Sequence, residues 1–146
     1  GQIKDFAKAG YEKGIIFDIG HGTDSFNFHV AETALKAGIK ATSISTDIYH
    51  RNRENGPVYD LATTMEKLRV VGYSWEEILD KVTVVPAKYF HLAKKGQLKT
   101  GYDADITIFD LADGEKTLTD SNGFTRTAKE LIQPVKTIIG GAVYDN

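Results

Sequence analysis

Two reactive side chains stand at the ends of consecutive apolar runs. His21, bracketed by Gly20 and Gly22, follows Ile15-Ile16-Phe17, and Asp47 follows Ala41-Thr42-Ser43-Ile44 after one helix-length segment. An imidazole can exchange a proton near neutral pH, and a carboxylate can accept one from an attacking water or bind a divalent cation. In α/β barrels the parallel strands are buried and their carboxyl ends carry the chemistry, so polar groups at those ends are candidates for catalysis. Glycines beside His21 would let the backbone approach a ligand closely.

Those side chains need strands beneath them, and the pattern supplies two. Residues 1 to 13 read as an amphipathic helix, and residues 14 to 19 as a short buried strand because the apolar residues are contiguous. Ser25 is placed to cap a helix with Phe26, Val30 and Ala34 at a spacing of four, and Gly38 sits where a left-handed C-terminal residue is wanted. Residues 41 to 46 form the next strand, which completes a βαβ unit with a parallel sheet. Asp60 caps a helix through Leu61, Met65 and Leu68 that Gly72 closes; Ser74 with Glu77 forms a capping box for another; Thr83 and Pro86 start a short last one. After Gly96 the period changes. Residues 105 to 110 alternate with Ile106 and Ile108 on one face, residues 112 to 129 read as a polar loop, and residues 135 to 144 read as two strands broken by Gly140-Gly141.

The fold class expected is α/β, the C-terminal part of a TIM-type (β/α)8 barrel over residues 1–95, followed over residues 96–146 by strands of a small β-sandwich domain. With 146 residues, 41% of them hydrophobic, the chain falls short of the roughly 250 residues of a closed barrel, and its opening inside an amphipathic segment reads as a cut. A net charge of −2 with interspersed signs gives no basic stripe, so nucleic acid is not expected as a partner. The absence of cysteine excludes disulfides and thiolate ligands, and no apolar run approaches the roughly 18 residues of a membrane span. A cytoplasmic location, no membrane partner, a small-molecule substrate and a possible homo-oligomer complete these expectations.

Four stretches resemble the amidohydrolase superfamily, and within it the deacetylase and dihydroorotase-like branch that includes sequences labelled adenine deaminase. They are FDIGHGTDSFNF at 17 to 28, SISTDIY at 43 to 49, NGPVYDLATTMEKL at 55 to 68, and GQLKTGYDADITIFDL at 96 to 111 with KTIIGGAVYDN at the C-terminus. The resemblance implies a metal-dependent hydrolase with one or two divalent ions, zinc by default, held by a His-x-His pair, a lysine, two later histidines and an aspartate ending the eighth strand. Only the aspartate is matched, by Asp47, as metal ligand and catalytic proton carrier. The other ligands would lie upstream of Gly1, so the isolated chain is expected to be inactive.

His21 lies outside that ligand set, and substrate contact or support of Asp47 is its expected role, with a histidine hydrogen-bonded inside a tight turn as the plainer alternative. Gly22, Tyr49 and Asn52 are further candidates for substrate binding, with Arg53 beside them on a loop after Asp47. His29, His50 and His91 read as solvated surface, and Ser25 as a cap rather than a nucleophile. A rival reading makes Gly20-His21-Gly22-Thr23 an anion-binding turn that cradles phosphate on a helix N-terminus in a non-catalytic binding module.

Overall fold

The computed structural model describes residues 2–145. The elements in chain order are α1 (Asp5–Glu12), β1 (Asp18–Ile19), α2 (Phe28–Lys36), β2 (Ser43–Ile44), α3 (His50–Asn55), α4 (Leu61–Val71), α5 (Trp75–Val82), α6 (Val84–Tyr89), β3 (Ile106–Thr119), β4 (Thr125–Ile139) and β5 (Ala142–Asp145). No described helix is long and apolar enough to cross a membrane.

Strands β1 and β2 pair in parallel, Asp18 opposite Ser43 and Ile19 opposite Ile44, with α2 as the crossover between them. They are shorter than the runs 14–19 and 41–46 expected. Ile15 and Ile16 are exposed rather than buried, because among the described residues β1 has a strand neighbour on one side alone and none before Asp18 is in a sheet. Ile44 turns outward into the core with Phe28, Met65, Leu68, Val71, Tyr73 and Ile78, and Ile19 packs against it. Helices α2, α4 and α5 therefore cover one face of the parallel pair.

Local chemistry sets the helix ends. The Asp60 carboxylate accepts from the Thr63 amide at 2.6 Å and opens α4, and Ser74 and Glu77 exchange hydrogen bonds that open α5. The cap of α2 is Asn27, whose side chain accepts from the Val30 amide at 2.9 Å, and not Ser25. Tyr49, Asn52 and Arg53, expected on a loop, instead belong to the short helix α3, Tyr49 as its N-terminal cap position and the other two within it. The buried Tyr73 hydroxyl accepts from the Ala41 amide and Lys81 donates to the Ala41 carbonyl, which fixes the start of β2 against α5.

The segment 112 to 129 is not a loop. Strands β3 and β4 form one long antiparallel hairpin that turns at residues 120 to 124, and β5 adds on the far side of β4. Leu118 and Ala128 on this hairpin are buried in the same core as α2 and α4. Asp120, 2% exposed, shapes the turn: one carboxylate oxygen accepts from the Asn122 and Phe124 amides, and the other from the Phe28 amide at the start of α2. Arg126 extends the docking with two bonds to the Glu32 carboxylate while its guanidinium lies 5.2 Å from the Phe28 ring centroid. That ion pair pulls the Glu32 carboxyl below its usual pKa. The tip of the β-hairpin is thus tied directly to the segment that carries His21.

Candidate active site

Side chains alternate across a strand, so Asp18 and Gly20 share one face of the parallel pair with Ser43, Ser45 and Asp47. Asp18 and Asp47 are exposed there, on the wall of a cleft of about 690 Å³ lined also by Ser45, Phe26, Asn27 and Ala31.

Asp47 sits beyond the carboxyl end of β2 with φ of +50°, a left-handed conformation that few non-glycine residues adopt and that aspartate tolerates better than most. The turn after β1 is built around it. His21 and Gly22 both donate their amides to the Thr46 carbonyl, at 3.3 and 2.9 Å, so the turn lies across the chain immediately before Asp47. A β-carbon on Gly22 would come 2.8 Å from Asp47 Oδ2, and one on Gly20 would come 3.3 Å from Asp47 Cβ and 3.4 Å from Ser45 Oγ. The two glycines that bracket His21 are thus the space the aspartate occupies. Gly22 meets Asp47 itself.

His21 is fully buried. Its ring stacks on Phe26 with centroids 4.9 Å apart and planes at 21°. Nδ1 lies 2.9 Å from the Gly22 carbonyl and Nε2 lies 2.7 Å from Lys67 Nζ. An ammonium has only protons to give, so Nε2 accepts, and the ring proton sits on Nδ1 and is donated to Gly22. Burial lowers the pKa of this imidazole, with the Lys67 charge adding to the effect. In this arrangement His21 offers no nitrogen to a substrate or a metal. The plainer alternative, a histidine bonded within its own turn, describes it.

Asn52 is also buried, its amide oxygen accepting from the Tyr49 backbone at 3.3 Å and its amide nitrogen donating to Gly56 O at 3.4 Å, so it closes both ends of α3 and is not presented to a ligand. Tyr49, at 46% exposure, stands at the start of that helix and is open to solvent. The phosphate-cradle reading fails on geometry. Helix α2 begins at Phe28, five residues after Thr23, and its first amides are taken by Asp120 and Asn27.

Two polar residues of this region were not singled out from the sequence. Asp18 accepts from Ser43 Oγ at 2.6 Å and Ser45 Oγ at 2.5 Å, a carboxylate held by two hydroxyls on the same face as Asp47. An acidic residue at a strand start followed by alternating serines on the next strand was the available signal. Lys67 is the other, and no signal in the sequence marks it. Among the described residues no three His, Cys, Asp or Glu side chains converge in a cluster able to hold a metal. These residues alone do not fit a metal centre; Asp47 can supply one ligand to one.

Residues 98–145 match the profile of a deacetylase-like composite domain, which places that domain on the β3–β5 sheet. Over 145 residues the chain is 73% identical to a deacetylase of Enterococcus faecalis, an alignment covering 99% of this chain and 39% of the relative. A crystal structure described as an adenine deaminase superposes with a TM-score of 0.96 at 73% identity, over 99% of this chain and 39% of that one. A dihydroorotase crystal structure superposes with a TM-score of 0.86 at 42% identity, over 96% and 38%. The chain spans about two fifths of the length of each of these relatives. It is an α/β chain with a deacetylase-like domain, and its homologues include proteins named deacetylase.

Proposed function

We propose that the chain forms the closing strands of a (β/α)8 barrel, with part of its small β-domain, in a metal-dependent hydrolase of the amidohydrolase type. The reaction is hydrolysis of an amide or ester in a small molecule, with removal of an acetyl group as the leading case. The observation that carries this reading is Asp47: an exposed carboxylate in a left-handed conformation at the carboxyl end of a parallel strand, backed by two glycines that leave room for it. Residues held in sparsely populated backbone regions concentrate at functional sites.

The chemistry asked of Asp47 is proton transfer. As water oxygen bonds to the substrate carbonyl carbon, a carboxylate oxygen takes the water proton; when the C–N or C–O bond breaks, the proton passes to the departing nitrogen or oxygen. One or two zinc ions, when bound, would supply an activated water and polarise the carbonyl. In this reading Asp47 gives one ligand and the others come from outside the described residues. Asp18, with its hydroxyl partners, shares the face on which a substrate would lie.

The similar proteins are named for three hydrolytic reactions, so the substrate is decided by assay. The complete zinc-loaded enzyme is offered N-acetylated and O-acetylated small molecules, dihydroorotate and adenine, and the products are identified. Release of acetate supports the leading case. Ring opening of dihydroorotate or ammonia release from adenine moves the substrate within the class, and turnover of none by a metal-loaded enzyme would sink the proposal.

A further inference from the structure

Lys67 lies wholly out of water in the middle of α4. Burying an ammonium costs several kcal/mol unless its protons all find acceptors, and here they do: His21 Nε2 at 2.7 Å, Pro57 O at 3.0 Å and Thr119 O at 2.6 Å. The three acceptors belong to the turn after β1, the loop before α4 and the end of β3. One side chain therefore joins the parallel pair to the β-hairpin. Asp120 and Lys116 are the charged groups whose fields reach it, the first favouring and the second opposing its charge.

The consequence falls on the turn. With Lys67 donating to Nε2, His21 is held with its proton on Nδ1, and that proton goes to the Gly22 carbonyl. Gly22 is held at φ of +51°, where a β-carbon would come 2.8 Å from Asp47 Oδ2. Phe26 stacks on one face of the ring, with centroids 4.9 Å apart. If Nε2 lost its donor, the proton could move to Nε2 and the bond to Gly22 would be lost.

We propose that Lys67 is a positioning residue for Asp47: it fixes neutral His21 in the Nδ1-protonated tautomer, and that tautomer holds the Gly20 to Gly22 turn in the shape against which the Asp47 carboxylate rests. The inference rests on the reading of Asp47 as the reacting carboxylate. It adds a buried residue outside the cleft lining whose removal is felt at that carboxylate.

The test has two arms. In the first, ring nitrogen chemical shifts of His21 are read by ¹⁵N NMR in the complete enzyme. The wild type shows Nδ1 protonated and Nε2 accepting, and Lys67→Met shows mixed tautomers; an unchanged Nδ1-protonated ring in that variant overturns the proposal. In the second, kinetics are measured on the complete enzyme. Lys67→Met lowers kcat by a factor on the order of 10 to 10² while KM stays within about twofold, since a displaced reacting group costs rate more than binding. His21→Gln, whose amide can accept from Lys67 and donate to Gly22, recovers part of the turnover that His21→Leu loses. Should Lys67→Met fail to fold, the Gln and Leu variants decide, and equal kcat for the two overturns the proposal. Full kcat in Lys67→Met with Asp47→Asn dead removes this inference alone. An active Asp47→Asn removes the reading of Asp47, and the NMR arm still decides the tautomer.

Discussion

Gly22→Ala separates the space that the turn leaves for Asp47 from the conformation that the turn adopts. Alanine at φ of +51° must hold a left-handed backbone, which costs an L-residue roughly 1–2 kcal/mol. Its β-carbon must also displace Asp47 Oδ2, 2.8 Å away, and crowd the Asp47 carbonyl at 3.4 Å. Gly38→Ala is the matched control, because Gly38 has φ of +77° and nothing within 4 Å of the added carbon. A carboxylate end can swing aside, so the two variants should lose similar stability, about 1–2 kcal/mol or roughly 2–8 °C in Tm for a chain of this size. Their activities should diverge. A reacting group moved by about 1 Å can cost on the order of 10²-fold in rate, so Gly22→Ala should lose that much kcat in the complete enzyme while Gly38→Ala keeps wild-type turnover. Thermal melts followed by steady-state kinetics give both numbers. Equal kcat for Gly22→Ala and wild type, or equal losses in both variants, would refute the claim that Gly22 makes room for the carboxylate.

Further outcomes are expected in stability. Asp120→Ala leaves three backbone amides at the hairpin turn and the α2 start without their acceptor; only the Phe28 amide is buried, while Asn122 and Phe124 are exposed and their amides can turn to water, so at about 1–3 kcal/mol for a buried group left unpaired, urea unfolding should register a loss of about 1–3 kcal/mol. Burial lowers the Lys67 pKa from 10.5 to about 8, so between those values the unfolded chain binds more protons and stability rises with pH. Lys67→Met should lack that rise in urea midpoints measured across the window. The lowered His21 pKa has the same sign on the acid side. Stability should fall as pH drops below 6.5, and His21→Gln should remove that part of the fall.

What could be read from the sequence was what depends on neighbours three or four residues away. Asp60, Ser74 with Glu77, and Gly72 mark helix ends because each bond closes within one turn. The parallel βαβ unit was legible for the same reason, as one apolar run, one helix and a second run. Residues 112 to 129 were not, because their polar and glycine content hides a hairpin whose buried side shows only in Leu118, Asp120 and Ala128. Gly114 reads as a loop residue, yet it is there because Leu131 crosses it and a β-carbon would come 2.8 Å from Leu131 Cδ1. Asn27 displaced Ser25 as the cap because Asp120 and Ser121, more than 90 residues on, hold the Phe28 and Phe26 amides and set where α2 begins. Asp47 and the glycines around His21 stand out in the sequence by type and place, and the structure brings Gly22 against Asp47. That His21 faces inward could not be read, since its partner Lys67 is 46 residues away.

The central claim is that Asp47 carries the proton in a metal-dependent hydrolysis. The direct measurement pairs kcat with metal content in Asp47→Asn of the complete enzyme. Asparagine keeps the shape and an oxygen ligand but cannot take up the proton, so much of the metal should remain while kcat falls by a factor on the order of 10² or more. Metal retained with turnover near that of the wild type would contradict the account.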